Sequence, residues 1–159
     1  MPVRSAALLL YRRRAEVEVW IAHMGGPFWA RKDEGAWSLP KGLVESDDLG
    51  DELVAAQREF AEEIGTDAPD ADYVPLGEFR GSGKTIVVFA AETEFEPDAV
   101  QSNTFELEWP PRSGRMQQFP EIDDARWFTV DEARTKLTKA QRPIADALVA
   151  HLAENTETH

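Results

Sequence analysis

The chain contains no cysteine among its 159 residues. Disulfides, thiolate metal sites and a thiol nucleophile are therefore all excluded. Long apolar runs are also absent from the N-terminal region, where Ala6 to Tyr11 is followed at once by three arginines. Such a run is too short for a signal-peptide core or a membrane span, and a β-strand explains it better. These absences predict a protein of the reducing cytoplasm.

Positive charge is scarce, with 17 lysines and arginines against 30 acidic residues and a net charge of −13. A chain of this charge repels nucleic acid and anionic membranes at long range, so neither is an expected partner. Small polyphosphates are anions too. An enzyme that acts on them would need local cations and a bound metal to overcome the field of the protein.

The length and the composition, 42% hydrophobic and 30% charged, are typical of one globular domain. We assign residues 1–153 to that domain and residues 154–159 to a polar, frayed tail. No internal repeat or linker interrupts the chain. A homodimer is compatible with these features, and a small molecule is the expected partner.

A predicted helix from Asp51 to Ile64 carries an unusual concentration of charge. At about 100° per residue, its Glu59, Glu62 and Glu63 fall within an arc of about 100°, beside an apolar arc with Phe60. Like charges so close together destabilise a helix. Hard divalent cations suit such a cluster, because Mg²⁺ prefers oxygen ligands and often shares its shell with substrate phosphates. An ordinary solvated acidic face is the alternative.

The stretch around this helix resembles the signature of the Nudix hydrolase family, in its MutT-like, bacterial single-domain form. The matching residues are Gly42, Arg58, Glu59, Phe60, Glu62, Glu63 and Gly65. Two departures stand out. Gly42 and Arg58 are two positions further apart than the family usually has them, and Thr66 replaces an aliphatic residue. The middle glutamate of the signature has no certain counterpart, since counting from Gly42 points to Asp48 and counting back from Arg58 points to Gly50.

The resemblance implies an α/β protein with the Nudix α/β/α sandwich, a mixed β-sheet between helices. It further implies a pyrophosphohydrolase that depends on Mg²⁺, with Mn²⁺ as a substitute, and acts on a nucleoside diphosphate linked to another group. Dinucleoside polyphosphates or nucleoside triphosphates are favoured. In this interpretation Glu59, Glu62, Glu63 and the backbone of Gly42 hold metal, while Arg58 orients the glutamates. A non-catalytic nucleotide-binding or regulatory module is the alternative, and isomerase relatives use a cysteine that this chain lacks.

Further candidates lie outside the signature. Glu121 is the first choice for a downstream metal ligand and Glu108 the second. The candidate phosphate or substrate contacts are cations in turns and loops, namely Lys41, Arg80, Lys84 and Arg112. Residues 28–36 are interpreted as a charged loop at the lip of the site. Residues 104–115 are interpreted as a loop, because the Pro110–Pro111 pair cannot lie within a central strand.

Alternation of apolar residues predicts the other elements. Strands are expected at Val3 to Tyr11, Val17 to Ile21, Trp37 to Leu39, Tyr73 to Arg80, Lys84 to Ala91 and Ala125 to Val130. Helices are expected at Asp131 to Leu137 and Ala140 to Leu152.

Overall fold

The computed structural model describes residues 3–45, 51–81 and 83–157, with side chains through Glu154. The strands are β1 (Val3–Arg13), β2 (Val17–Met24), β3 (Trp37–Ser38), β4 (Lys41–Leu43), β5 (Val74–Gly81), β6 (Lys84–Glu92), β7 (Thr104–Glu108), β8 (Met116–Pro120) and β9 (Ile122–Thr129). The helices are α1 (Glu52–Ile64), α2 (Val130–Lys136) and α3 (Arg142–Glu157), with a short 3-10 turn at Lys139–Gln141. Within the described residues, no helix is both long and apolar enough to cross a membrane.

Strand β1 is the centre of a seven-stranded mixed sheet. The main path of that sheet is β3-β2-β1-β6-β5, with β4 paired to β1 and β9 paired to β2. Strands β1 and β6 pair in parallel, and the β1–β2 and β5–β6 pairs on either side are antiparallel. The hairpin that the sequence suggests between the first two strands is present as the β1–β2 pair.

The sheet separates two apolar layers, and β1 contributes to both. Ala7, Leu9 and Tyr11 face the cluster that includes α2 and α3. Leu8 and Leu10 face the cluster that includes α1. A strand covered on both faces has a continuous apolar sequence rather than an alternating one. The predicted α/β sandwich is confirmed.

Helix α1 begins and ends at the residues that its sequence indicates. The Asp51 side chain accepts hydrogen bonds from the backbone N–H groups of Leu53 and Val54, which caps the N-terminus. Gly65 ends the helix with φ 84°, a left-handed conformation that glycine adopts without steric cost. Phe60 and Ile64 are fully buried against the sheet. The buried side of α1 therefore fixes the direction in which its carboxylates point.

Two segments differ from expectation. Residues 104–108 form strand β7, which pairs with β8 in a separate two-stranded sheet, so the loop predicted for 104–115 is wrong in its first part. The proline pair lies in the turn beyond β7, where no ladder hydrogen bond is needed. Helix α3 continues to Glu157, into the segment interpreted as a tail. Asp48 and Gly50, the alternatives for the middle signature position, lie outside the described residues.

Candidate active site

Strand β4 and helix α1 meet at Gly42. Residues Lys41–Leu43 pair antiparallel with β1, which places Gly42 opposite Ala6. A Cβ atom added at Gly42 would lie 1.9 Å from Oε2 of Glu59. Real Cβ atoms do not approach another atom so closely, so the carboxylate occupies the space that any larger residue would need. A larger residue at this position would have to displace the Glu59 side chain.

Arg58 holds the two elements together. Its Nη1 donates a hydrogen bond of 2.8 Å to Oε1 of Glu59, and its Nη2 donates one of 3.1 Å to the carbonyl oxygen of Leu43. Nη1 also lies 3.5 Å from Oε2 of Glu62. The guanidinium thus links the helix to β4. This geometry supports the expectation that Arg58 orients carboxylates.

A cleft of about 470 Å³ opens beside Gly42. Four carboxylates and one lysine line it: Glu45, Glu59, Glu63, Glu121 and Lys41. Its apolar lining includes the aromatic side chains of Trp29 and Phe105. The lining of the cleft therefore combines acidic oxygens with flat apolar rings.

The two glutamates of α1 that line the cleft, Glu59 and Glu63, both have raised pKa values. Burial raises the pKa of Glu63 to about 7; the charge and backbone N–H of Lys41 oppose this, while Glu121 and Glu59 add to it. Burial also raises the pKa of Glu59, against the opposing effect of Arg58. Two carboxyl groups whose ionised forms are disfavoured mark a place that a positive charge would stabilise.

The third signature glutamate is placed differently. The Glu62 side chain is 49% exposed and is not among the residues that line the cleft. Glu108, at the end of β7, is also exposed and outside the lining. In the described part of the chain, no three acidic or histidine side chains come close enough together to hold a metal ion by themselves. Glu59, Glu63 and Glu121 line the same cleft.

The candidate substrate contacts are divided between distant places. Lys41 lines the cleft. Arg80 and Lys84 line a different cavity at the end of β5 and β6. Arg112 lies in the turn between β7 and β8, with φ 63°, and does not line the cleft either.

Sequence reasoning missed how Glu121 and Phe105 reach the cleft. The backbone N–H of Gly25 donates a 2.8 Å hydrogen bond to the carbonyl oxygen of Glu121, which fixes that segment beside β2. A Cβ atom at Gly26 would lie 2.7 Å from the ring of Phe105. The consecutive glycines signal a close approach of other chain segments, but their partners are far away in sequence.

His23 joins the lip of the cleft to the segment after Glu121. Its Nε2 lies 2.7 Å from the carbonyl oxygen of Lys32, and its Nδ1 lies 2.6 Å from Oδ1 of Asp123. Through these two contacts the His23 ring ties residues 28–36 to the start of β9.

The fold and the cleft define a class: an α/β sandwich protein in which a glycine-containing strand and a glutamate-bearing helix line an acidic cleft. The sequence profile of the NUDIX domain matches residues 1–148. The chain belongs to the Nudix family.

Solved structures of similar fold cover almost the whole chain. A C. elegans Ap4A hydrolase binary complex superposes with a TM-score of 0.63 at 22% identity, covering 96% of this chain and 98% of that one. The NUDIX domain of Shewanella oneidensis NrtR, complexed with ADP ribose, gives 0.62 at 15% identity, covering 96% and 89%. The MutT protein from Methanosarcina mazei Go1 gives 0.59 at 15% identity, covering 94% of each chain.

No curated protein sequence gives a significant match. The match to the NUDIX domain supports a Nudix pyrophosphohydrolase. At these identities the solved structures establish the fold alone.

Proposed function

We propose that this protein is a divalent-cation-dependent hydrolase that cleaves a phosphoanhydride bond in a nucleoside diphosphate linked to another group. One observation carries the proposal: Glu59 and Glu63, one helical turn apart on α1, line the same cleft as Glu121 and Lys41. These side chains would offer acidic oxygens to a cation and an ammonium group to a phosphate around one space.

The donor set of the cleft fits Mg²⁺ or Mn²⁺. Glu59, Glu63, Glu121 and the backbone of Gly42 offer hard oxygen atoms, and burial disfavours the ionised forms of the first two. Mg²⁺ usually keeps several waters and takes one or two carboxylates together with substrate phosphates, so a cage made wholly of protein is not needed. Glu62 stays a predicted ligand on the strength of the signature. A bound cation would supply neutralisation of the phosphate charge.

The residues of the chain have separate parts in this scheme. Lys41 would contact a phosphate oxygen, since it lines the cleft beside Glu63. Arg58 is a positioning residue, because its hydrogen bonds end on Glu59 and on the carbonyl of Leu43. Glu63 would hold or release a proton near neutral pH, which is the range in which a general base works best.

Two observations favour a nucleotide substrate: one concerns the cleft and the other the structural neighbours. Trp29 and Phe105 offer apolar ring surfaces at its wall, which suit a base or another flat group. The structural neighbours include an Ap4A hydrolase and a domain complexed with ADP ribose. We infer that the substrate is a dinucleoside polyphosphate or a nucleoside triphosphate.

The decisive experiment is the release of phosphate and pyrophosphate from a panel of nucleotides, with Mg²⁺, with Mn²⁺ and with a chelator. The panel holds nucleoside triphosphates, diadenosine polyphosphates, ADP-ribose and sugar nucleotides, and the product masses are recorded. We expect cation-dependent cleavage of one class, and its loss in Glu59→Gln. Glu106→Gln, on the exposed face of β7, is the matched control and should keep full turnover.

Absence of turnover across the panel would contradict the hydrolase proposal. If one compound then bound tightly without being cleaved, the chain would be a nucleotide-binding or regulatory module. The neighbouring domain complexed with ADP ribose is the observation that keeps this second function in view.

A further inference from the structure

A second cavity, of about 600 Å³, lies at the end of the β5–β6 hairpin. Its lining combines apolar side chains and cations: Phe79, Ile86, Pro143, Arg80, Lys84 and Lys139. Both the volume and the mixture of apolar wall with a few charged groups are those of a small-molecule site, since such sites usually measure about 300–1,000 Å³.

This cavity is separated from the candidate active site by the sheet. Phe79 and Ile86 face each other across the β5–β6 pair and pack against the apolar cluster that includes α3. Glu59 and Glu63 lie on α1, which packs on the opposite face of the sheet. A small molecule in one site cannot contact the other, so Arg80 and Lys84 do not serve the cleft.

The three cations of this cavity have no acidic partner within the described residues. Most other cations of the chain form ion pairs with carboxylates, namely Arg4, Arg12, Arg13, Arg14, Arg58, Arg126, Arg134 and Lys136. In a chain of net charge −13, three unpaired cations around one space make a local positive potential that attracts anions.

The walls of the cavity are fixed by contacts on both sides of the hairpin. A Cβ atom at Gly81 would lie 3.1 Å from Cβ of Ala140, so the end of β5 packs closely on the 3-10 turn. The carbonyl oxygen of Gly83 accepts a 2.9 Å hydrogen bond from the backbone N–H of Val3. These two contacts therefore hold in place the backbone segments that carry the three cations.

We propose that this cavity is a second ligand site, which binds a small phosphate-bearing molecule with an apolar or aromatic body, of the size of a nucleoside monophosphate. Arg80, Lys84 and Lys139 contact the phosphate, and Phe79, Ile86 and Pro143 contact the body. Binding here needs no divalent cation and no turnover, so it stands or falls separately from the proposed hydrolase activity.

The test is a titration of AMP and of inorganic phosphate into the full chain with chelator present, followed by amide chemical shifts in NMR spectra. We expect saturable AMP shifts at Gly81, Ile86 and Ala140, with weaker binding of phosphate alone. The double substitution Lys84→Gln/Lys139→Gln should weaken AMP binding at least tenfold. Arg13→Gln/Arg14→Gln, at the β1–β2 turn, makes the same change in net charge and should leave AMP binding within twofold.

Three outcomes would overturn the proposal. The first is the absence of saturable shifts around the hairpin. The second is an equal loss of binding in the control pair, which would mean attraction by overall charge. The third is a set of shifts confined to the cleft beside Gly42.

The apolar contacts have their own test. If phosphate bound as tightly as AMP, these contacts would be refuted. The variant Phe79→Leu checks them directly, because it should weaken the binding of AMP and leave the binding of phosphate unchanged.

Discussion

Replacement of Glu63 by glutamine should stabilise the cation-free protein, and more strongly as the pH rises. The folded structure raises the pKa of this carboxyl from 4.5 to about 7, mainly by burial. The folded state therefore favours the protonated carboxyl group. As the pH rises through the range between these two pKa values, the carboxyl group ionises and the free energy of unfolding of the wild type decreases. Glutamine resembles the protonated form at every pH and escapes this loss.

The size of the effect follows from the two pKa values. The linkage relation gives an advantage for Glu63→Gln of about 1 kcal/mol at pH 5.5, which grows to about 3 kcal/mol at pH 8.5. For a chain of this length, a gain of about 2 kcal/mol across that range corresponds to roughly 4–8 °C in Tm. Urea unfolding in chelator at four pH values between these limits measures it.

Two results would refute this reasoning. A difference that stays constant with pH would mean that Glu63 titrates alike in the folded and unfolded chain. A mutant less stable than the wild type at pH 8.5 would mean that the ionised carboxylate is already well compensated. Glu106→Gln, which removes an exposed carboxylate, should show no comparable growth with pH. Adding Mg²⁺ should stabilise the wild type more than Glu63→Gln, because the ion binds the charged form.

Three other predictions follow from the same contacts. Gly42→Ala should displace the Glu59 carboxylate, lower stability by about 1–3 kcal/mol and reduce turnover at least tenfold; near-normal kinetics would contradict the close contact. Glu62→Gln should remove most activity and leave the protein folded or slightly more stable without metal, as shown by circular dichroism beside the kinetic assay, and retained turnover would remove Glu62 from the metal site. His23→Gln should lower the free energy of urea unfolding by about 2 kcal/mol, since the two hydrogen bonds of the ring with Lys32 and Asp123 are lost, and an unchanged midpoint would argue against these contacts.

Local signals predicted the framework well. The apolar run of β1 has no alternation because both its faces are covered, and the ends of α1 follow from Asp51 and Gly65. Helical spacing also placed the three glutamates on one side. It could not tell which of them faces the cleft, because that depends on where β4 pairs with β1, and Glu62 consequently lies nearer the solvent.

Long-range pairing explains the remaining differences. Proline residues 110 and 111 suggested a loop, but the ladder of β7 and β8 stops before them and leaves them in the turn. Arg80 and Lys84 flank a turn, as expected. The end of that hairpin packs through Gly81 against Ala140, which lies 59 positions later in the sequence, and no local pattern encodes such a contact.

The β7–β8 hairpin has a consequence for how this protein can change. A two-stranded ribbon is marginally stable by itself, and this one pairs with no strand of the main sheet in the described residues. Contacts such as Phe105 on Gly26 and Phe28 on Trp109 attach it to the lip. Substitutions within the ribbon can thus reshape the aromatic wall of the cleft without disturbing α1 or the central sheet. New substrate preferences can arise there while the catalytic framework stays intact.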